Sequence, residues 1–508
     1  MKLVQVFTTA TAVTALQCSN LVNMTGTADD DSWIITTANA TSIGSVQYCH
    51  ISATIGNRIR TWMQLPETSD WNGRYVQIGC GGACGWNPFE NTNFDIATAI
   101  KKGYALGTTD MGVSPGDAFD PFHNNLQMRI DWGYLATHLT AVMSKHIITS
   151  YYGSSPKYSY HLGSSTGGRQ SLVEAQRYPG EFNGVFAVAP AYNESGVVIY
   201  SVGGTAKAAL QDETDFTAAI TPIEAELLQN ATLSQCDEMD GLRDGIISLP
   251  RLCKPDLSNL LCSNVSTSPC LSTIGAIAAN EIYTGPISSV TGYKQVPEGF
   301  LPGSEASWIG AYISTTSGAP PAYSLVKSFL SFFAFWPDPI EPVTPLTINL
   351  SDPNLSSRIS AIEDLVSGAD ANMTDFQQLG GKIIITGGLQ DVIVAPGFLL
   401  DLYNRVGDAM GEDTRDEFMR FYELPGVGHV VGGPGADAYD ALGYLAEWVE
   451  NGTVPEVMVA SHLDGEGNVA FTRPLFPFPF VAAYNGTGNM SDWRSYVPVN
   501  GGTEFWGI

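Results

Sequence analysis

The sequence predicts an α/β protein in which one strand–helix core is interrupted by a large insertion. Residues 131–152 carry apolar side chains at helical spacing, and residues 158–162 then form an apolar run typical of a strand. Further along, the same alternation returns, with an apolar strand at 381–387 followed by a helix and a second strand at 418–424. Strands alternating with helices indicate a parallel sheet covered by helices on both faces.

Between these two parts the character of the sequence changes. Residues 192–374 hold four of the eight cysteines and many Pro and Ser, with short helical segments but no strand–helix alternation. We therefore predict a lid domain over 192–374, inserted between a first part of the core over 16–191 and a second part over 375–508.

The N-terminus and the cysteines predict export from the cell. Met1 and Lys2 precede a short apolar run, which fits a signal peptide over 1–15 with cleavage after Ala15. A buried N-terminal helix is the alternative, since the run is too short to span a membrane. Eight cysteines, an even number, and eleven Asn-x-Ser/Thr sequons also fit a secreted, extracellular glycoprotein.

Composition excludes two classes of partner. The chain of 508 residues is 44% hydrophobic and 15% charged, which is typical of a globular protein. Its net charge of −27 makes nucleic acid and anionic membrane surfaces poor partners, because their phosphates would be repelled.

Residues 163–167, Gly-Ser-Ser-Thr-Gly, satisfy the pattern Gly-x-Ser-x-Gly. Small residues at this spacing allow a sharp strand-to-helix turn that exposes the serine hydroxyl. In a chain with 53 glycines the pattern alone is weak, and a plain turn is the alternative. Its context favours chemistry, because an apolar strand ends just before it and a helix begins just after it. We predict an α/β-hydrolase fold with Ser165 as the nucleophile.

A serine hydroxyl is a poor nucleophile until a base takes its proton, so a histidine is needed elsewhere in the chain. His429 lies in a Gly-rich loop after a predicted strand, where hydrolases of this fold place the base. Asp391 follows the strand at 381–387 and completes the chain order Ser, Asp, His. The alternatives are a loop histidine without a role and an aspartate in a surface turn.

An oxyanion hole needs two backbone N–H groups aimed at the developing charge. One is expected from Thr166, the residue after the nucleophile. The other is expected from the Gly-rich loop 79–85, at Gly81 or Gly82, where glycine exposes the amides. The glycines of this loop also have a purely structural explanation, a turn closed by a disulfide between its two cysteines. That explanation is compatible with the oxyanion role.

A third segment, 236–246, places three aspartates within eight residues beside two glycines. This spacing can converge carboxylates and backbone carbonyls on Ca²⁺. The segment lacks the twelve-residue EF-hand loop with its terminal glutamate, so the residues alone favour a solvated acidic turn.

Together these segments resemble the tannase and feruloyl esterase family, which also includes the bacterial hydrolase of mono(hydroxyethyl) terephthalate. The resemblance runs from about Cys49 to Pro498. The matching stretches are 71–74, the Gly-rich loop at Cys80, 151–153, 165–170, the acidic segment, 388–391, 428–429 with 432–435, and 473–475. The resemblance implies hydrolysis of esters of aromatic acids such as gallate or ferulate, and a lid domain that carries structural Ca²⁺.

The resemblance also implies metal ligands and disulfides. The calcium ligands would be the carboxylates of Asp237, Asp240 and Asp244 and the carbonyls of Leu242 and Ile246. Spacing and resemblance select, from the many possible connectivities, the pairs Cys18–Cys49, Cys80–Cys84, Cys236–Cys253 and Cys262–Cys270.

Two bridges of the family pattern are missing. Members usually carry bonded cysteines immediately before the nucleophile and immediately after the base, where this chain has Ser164 and Val430. A second bridge near the C-terminus is also absent, with Phe476 and about Pro498 in its place. The triad residues themselves are all present.

The sequence thus predicts a secreted serine esterase that cleaves hydroxycinnamate or gallate esters through an acyl-enzyme. The substrate would be a small aromatic ester or one linked to a plant polyphenol or polysaccharide. A tannin acyl hydrolase and a feruloyl esterase are both compatible with the residues. A catalytically silent binding protein on the same scaffold is the alternative from another class, which an intact triad argues against.

Overall fold

A computed structural model of the chain describes residues 17–116, 118–263, 269–316 and 318–501. The predicted signal peptide lies outside these residues. The strands are β1 (Thr25–Ala28), β2 (Asp31–Ile43), β3 (Val46–Ile55), β4 (Ile59–Pro66), β5 (Arg74–Ile78), β6 (Ala105–Thr109), β7 (Tyr158–Ser164), β8 (Gly184–Val188), β9 (Lys382–Gly388), β10 (Met419–Leu424), β11 (Met458–Leu463), β12 (Val469–Leu475), β13 (Phe480–Tyr484) and β14 (Tyr496–Asn500). The helices are α1 (Ile96–Lys101), α2 (Leu126–Ile130), α3 (Ala136–Tyr152), α4 (Thr166–Arg177), α5 (Gly203–Ala209), α6 (Pro222–Cys236), α7 (Thr273–Thr284), α8 (Glu305–Trp308), α9 (Pro321–Phe332), α10 (Leu355–Val366), α11 (Thr374–Gln378), α12 (Pro396–Met410), α13 (Glu412–Phe418) and α14 (Ala441–Asn451).

One ten-stranded sheet, in the order β1-β2-β3-β4-β6-β5-β7-β8-β9-β10, organises the described residues. The strands from β1 to β4 pair antiparallel, and β4 joins β6 antiparallel. The strands from β6 to β10 along that order pair parallel. Because parallel strands end at the same edge, the residues that follow β7, β9 and β10 meet at that edge.

Alternation within the parallel strands explains why helices cover both faces. In β9, Ile383 and Ile385 face one apolar core and Ile384 faces the other. Helices α3, α4 and α12 pack on the first face, and α1 and α14 pack on the second. The predicted α/β-hydrolase fold is confirmed. Strands that are buried on both faces have continuous apolar runs in the sequence, so they are the easiest strands to predict.

The strands predicted at 158–162, 381–387 and 418–424 correspond to β7, β9 and β10. The helix predicted over 131–152 is confirmed in its larger part, but it starts with a π-helical turn at Asp131–Leu135 before α3 begins. The sequence did not indicate β2, because most of its thirteen residues are polar or partly exposed and lack a clear apolar alternation.

The chain leaves the sheet after β8 and returns at β9, although these two strands are parallel neighbours. The described residues between them form helices α5 to α11 and add no strand to the sheet. The limits 192 and 374 and the action of this insertion as a lid stay predictions.

Buried charges attach the insertion to the core. Arg251, in the insertion, donates to Glu423 of β10 at 2.6 Å and to Glu298 at 3.1 Å, and all three side chains are fully buried. Arg129 of α2 donates to the carbonyl of Phe335 at 2.8 Å and to the carboxylate of Asp338.

All four predicted disulfides are present, with Cα–Cα distances from 5.0 to 5.6 Å. These separations lie in the range that disulfides tolerate, and the bonds fit an oxidising compartment. The described part of the chain contains no helix with the length and apolar content needed to cross a membrane. Secretion itself stays a prediction, since its signal falls on residues 1–15.

Candidate active site

Ser165 occupies a strained turn between β7 and α4. Its φ of 58° and ψ of −121° belong to a backbone conformation that few non-glycine residues adopt. A Cβ on Gly163 would lie 2.1 Å from the carbonyl oxygen of Gly167, so this position accepts only glycine. The pattern Gly-x-Ser-x-Gly is therefore explained by the sharpness of the turn, which lifts the serine hydroxyl above the sheet edge.

The three predicted triad residues meet at the carboxyl edge of the parallel strands. His429 Nε2 lies 2.9 Å from Ser165 Oγ, and His429 Nδ1 lies 2.8 Å from Asp391 Oδ2. The second carboxylate oxygen of Asp391 accepts from the amides of Ile393 at 2.8 Å and Val394 at 2.9 Å. These amides orient the carboxylate. When Nδ1 carries the proton that Asp391 accepts, Nε2 faces the Ser165 hydroxyl as a hydrogen-bond acceptor.

The electrostatics of His429 result from two opposing causes. Burial opposes the charged imidazolium, whereas the negative charge of Asp391 and its hydrogen bond favour it, and together these two outweigh burial. The pKa of His429 is raised above its ordinary value of 6.5. The net effect is that the interaction with Asp391 favours the imidazolium form of His429.

The two positions that lack the family bridge have other contacts. Ser164 Oγ lies 2.7 Å from Asn93 Oδ1 and donates to it. Val430 has a φ of 71°, a conformation unfavourable for a β-branched residue, and it follows the base directly. The loop is closed behind it by the amide of Gly428, which donates to the carbonyl of Gly432 at 2.9 Å. Asn93 was not predicted, because nothing in its sequence context marks it.

Each predicted oxyanion donor has an amide available. Thr166 is the first residue of α4, where backbone N–H groups have no acceptor within the helix. In the loop 79–85, no hydrogen bond from the amides of Gly81 and Gly82 occurs within the described residues, and a Cβ on either glycine would contact nothing within 4 Å. Neither amide therefore has a protein acceptor in this part of the structure, and their role in binding an oxyanion stays a prediction.

The acidic segment brings oxygen donors together without completing a metal site. The pKa of Asp240 is raised to about 6 by burial, with a further contribution from the charges of Asp244 and Asp237. Asp244 Oδ2 accepts from Arg473 at 2.7 Å, and Asp237 accepts from the amide of Gly245 at 3.1 Å. No cluster of three metal-ligating side chains occurs within the described ranges. Oxygen-only donors suit Ca²⁺, and the ligand role of these residues with Leu242 and Ile246 stays a prediction.

Arg169, next to the active-site turn, has a structural role that sequence reasoning missed. Its fully buried guanidinium donates to the carbonyls of Trp132, Gly133 and Val366 at 2.8 to 2.9 Å. It thereby joins α4 to the π-helical turn and to the end of α10 in the insertion. The only available signal was its place in the stretch 165–170 that resembles the family.

Comparisons with known proteins agree with this architecture. The family model described as "Tannase and feruloyl esterase" matches residues 45–499. Feruloyl esterase B of Aspergillus niger is 28% identical over 481 residues, which cover 90% of this chain and 87% of that protein. An esterase from Aspergillus oryzae has a similar structure, with a TM-score of 0.80 at 24% identity over 92% of this chain and 97% of that chain. For the tannin acyl hydrolase from Aspergillus niger the TM-score is 0.69 at 21% identity, over 93% of this chain and 90% of that chain.

The two structural likenesses establish the shared fold, and the family match extends over most of the chain. The resemblance inferred from separate motifs is confirmed, and the silent binding protein is set aside. The chain belongs to the tannase and feruloyl esterase family and is a carboxylic ester hydrolase.

Proposed function

We propose that this enzyme hydrolyses esters of aromatic acids, with Ser165 as nucleophile, His429 as base and Asp391 as the group that orients the base. The hydrogen-bonded chain from Asp391 through His429 to Ser165, at 2.8 and 2.9 Å, carries the proposal. The position of Ser165 on a strained turn before a helix supports it.

The proposed reaction has two steps. Ser165 Oγ attacks the ester carbonyl while its proton moves to His429 Nε2, and the amides of Thr166 and of Gly81 or Gly82 bind the oxyanion. His429 then gives the proton to the leaving alcohol, which leaves the aromatic acyl group on Ser165. His429 then takes a proton from water as the water attacks the acyl-enzyme, and the free aromatic acid departs.

The aromatic acyl group is proposed from the relatives. The Aspergillus niger relative is a feruloyl esterase, and the family also includes tannases. Steady-state hydrolysis of methyl ferulate, methyl caffeate and methyl gallate, with methyl acetate as the non-aromatic control, tests the proposal. A higher kcat/KM for an aromatic ester is expected, and the ratio of ferulate to gallate distinguishes a feruloyl esterase from a tannin acyl hydrolase. A preference for acetate would contradict the aromatic assignment.

The pH dependence of the reaction follows from the raised pKa of His429. Only the neutral imidazole accepts the serine proton, so kcat/KM is expected to rise with pH through a midpoint above 6.5 and then reach a plateau. The acidic limb of a pH–rate profile measures this midpoint directly. A midpoint below 6.5 would mean that burial outweighs Asp391, and it would contradict the assigned balance of charges.

We also propose that Ca²⁺ binds the acidic segment and stabilises the insertion without entering the chemistry. The ligands would be the carboxylates of Asp237, Asp240 and Asp244 and the carbonyls of Leu242 and Ile246. These residues lie between the two cysteines of the Cys236–Cys253 disulfide. One support is that all of these donors are oxygen atoms, which Ca²⁺ prefers. Another is the raised pKa of Asp240, because a bound cation would offset the repulsion between Asp240 and the carboxylates of Asp244 and Asp237.

Chelation is expected to lower the unfolding temperature, because a ligand that binds only the folded state stabilises it by mass action. Differential scanning calorimetry with and without a chelator measures the shift, and elemental analysis of purified protein measures bound calcium. The Asp240→Asn variant is the control, since it should respond less to chelation. If purified protein contains no calcium and the chelator leaves the unfolding temperature unchanged, the proposal is wrong and the segment is only an acidic turn.

A further inference from the structure

Gln170 lies in the second turn of α4, and its side-chain amide contacts the Gly-rich loop 79–85. Its Oε1 accepts from the amide of Cys80 at 3.3 Å, and its Nε2 donates to the carbonyl of Cys80 at 3.4 Å. The same Nε2 lies 3.3 Å from the sulfur of Cys80 and 3.7 Å from that of Cys84. With 1% of its surface exposed, Gln170 holds both backbone groups of a single residue.

The hydrogen bond to the carbonyl of Cys80 determines where the next amide points. That carbonyl and the N–H of Gly81 belong to one planar trans peptide, in which the two groups point in opposite directions. Because the carbonyl points toward Gln170, the N–H of Gly81 points away from α4. No hydrogen bond from the Gly81 amide occurs within the described residues, and a side chain on Gly81 or Gly82 would contact nothing within 4 Å.

The loop begins in direct contact with the active-site turn. A Cβ on Gly79 would lie 2.8 Å from the Cα of Gly167, two residues after Ser165, so the two segments touch through glycine backbones. The orientation of the Cys80–Gly81 peptide is therefore set close to the nucleophile.

Other contacts restrain the far end of the loop. The carbonyl of Gly85 accepts from Arg60 at 2.9 Å, and its amide donates to the carbonyl of Asp110 at 3.1 Å. The Cys80–Cys84 disulfide closes the loop. Within the described residues, Gln170 is the one side chain that forms hydrogen bonds with the backbone of Cys80.

We propose that Gln170 is a positioning residue for the reaction, which orients the Gly81 amide as an oxyanion donor by holding the preceding peptide. The inference rests on the proposed Ser165 mechanism. It assigns Gln170 no contact with substrate. A preorganised amide stabilises the transition state more than the bound substrate, so the loss of its orientation lowers kcat and leaves KM nearly unchanged.

The Gln170→Met variant tests the proposal, because methionine has a similar length but lacks both hydrogen-bonding groups. We expect kcat to fall roughly 10- to 100-fold, somewhat less than the loss of a whole oxyanion donor, with KM nearly unchanged. The Gln176→Met variant is the matched control. It lies on the same helix, and its Nε2 donates to the carbonyl of Gly368 at 2.7 Å, away from the loop. It should keep the kcat of the unaltered enzyme.

An aryl boronic acid, which forms a tetrahedral adduct with the serine, separates positioning from a purely structural role. Its inhibition constant should rise in Gln170→Met by the same factor by which kcat falls, while KM and the acidic limb of the pH profile stay in place. A fall in kcat with a parallel rise in KM, without weaker boronate binding, overturns the proposal. Unchanged kcat in Gln170→Met overturns it as well.

Two measurements keep the proposal testable if Gln170→Met does not fold. The Gln170→Glu variant keeps the length and the acceptor but places a carboxylate beside the carbonyl of Cys80, and it should lower kcat further. A crystal structure of the boronate adduct of the unaltered enzyme overturns the proposal if the Gly81 amide does not donate to the boronate oxygen. The Ser165→Ala variant distinguishes failure of the proposed Ser165 mechanism from failure of the Gln170 proposal. If Ser165→Ala retains activity, the mechanism is wrong, and the Gln170 proposal that rests on it is overturned with it.

Discussion

Replacing Ser165 with alanine is expected to lower kcat by about 10⁶-fold while substrate binding persists. The hydroxyl is the atom that His429 Nε2 faces at 2.9 Å, and no other group at this position can form the acyl-enzyme. Steady-state kinetics with methyl ferulate measures the loss, and equilibrium binding of the same ester to the variant measures the retained affinity.

Ser164 is the matched control for that experiment. It is the same residue type one position earlier, but its hydroxyl donates to Asn93 at 2.7 Å rather than to the base. Ser164→Ala should therefore retain kcat within a few-fold. Activity near that of the unaltered enzyme in Ser165→Ala would refute the nucleophile assignment, and equal losses in both variants would indicate damage to the turn instead.

The second large effect is expected from Arg251→Met. Arg251 lies between Glu298 at 3.1 Å and Glu423 at 2.6 Å, with all three side chains buried. Its removal takes away the cation that both buried carboxylates share, and breaking such a buried pair costs about 3 to 5 kcal/mol of unfolding free energy. Denaturant titration at pH 7 measures the loss.

The same variant should have a characteristic pH dependence. Burial raises the pKa of Glu423 even when Arg251 is present, and removal of the arginine should raise it further. A carboxyl with a raised folded-state pKa contributes stability at low pH that is lost as pH rises, so the deficit of Arg251→Met should shrink between pH 7 and pH 4. A deficit independent of pH would point to lost packing rather than to the loss of the arginine charge.

Arg494→Met provides the control on the surface. Its guanidinium pairs with Asp492 at 3.1 Å, but 70% of the arginine side chain is exposed. Water and salt screen such a pair, so this variant should unfold at the same denaturant concentration as the unaltered protein. A loss comparable with that of Arg251→Met would mean that arginine removal destabilises this chain for a reason unrelated to burial.

Local rules of sequence predicted the parts of the site that depend on near neighbours in the chain. The turn around Ser165 needs small residues at fixed spacing, a strand before it and a helix after it, and all of these can be read within about twenty residues. Asp391 and His429 were located by the chain order of the fold, since each follows a strongly apolar strand whose end lies at the same sheet edge.

The disulfides and the calcium ligands were predicted in a different way. Eight cysteines allow many connectivities, and only the family resemblance selected the four pairs that the structure contains. The same resemblance suggested the ligand role of Asp237, Asp240 and Asp244. Their oxygen atoms also accept hydrogen bonds from nearby backbone amides, an arrangement that spacing alone does not reveal.

The sequence alone predicted the fold class, which the structure confirms. It also selected the turn at Ser165 together with Asp391 and His429, because strand order and turn geometry constrain these residues through local patterns. The partners of the buried polar groups became visible in the folded chain. Arg251 pairs with Glu423 across 172 positions, and Gln170 reaches Cys80 across 90. Such pairs leave no periodicity in the chain, because the low dielectric of the interior requires a buried polar group to have a partner but does not specify where in the sequence that partner lies.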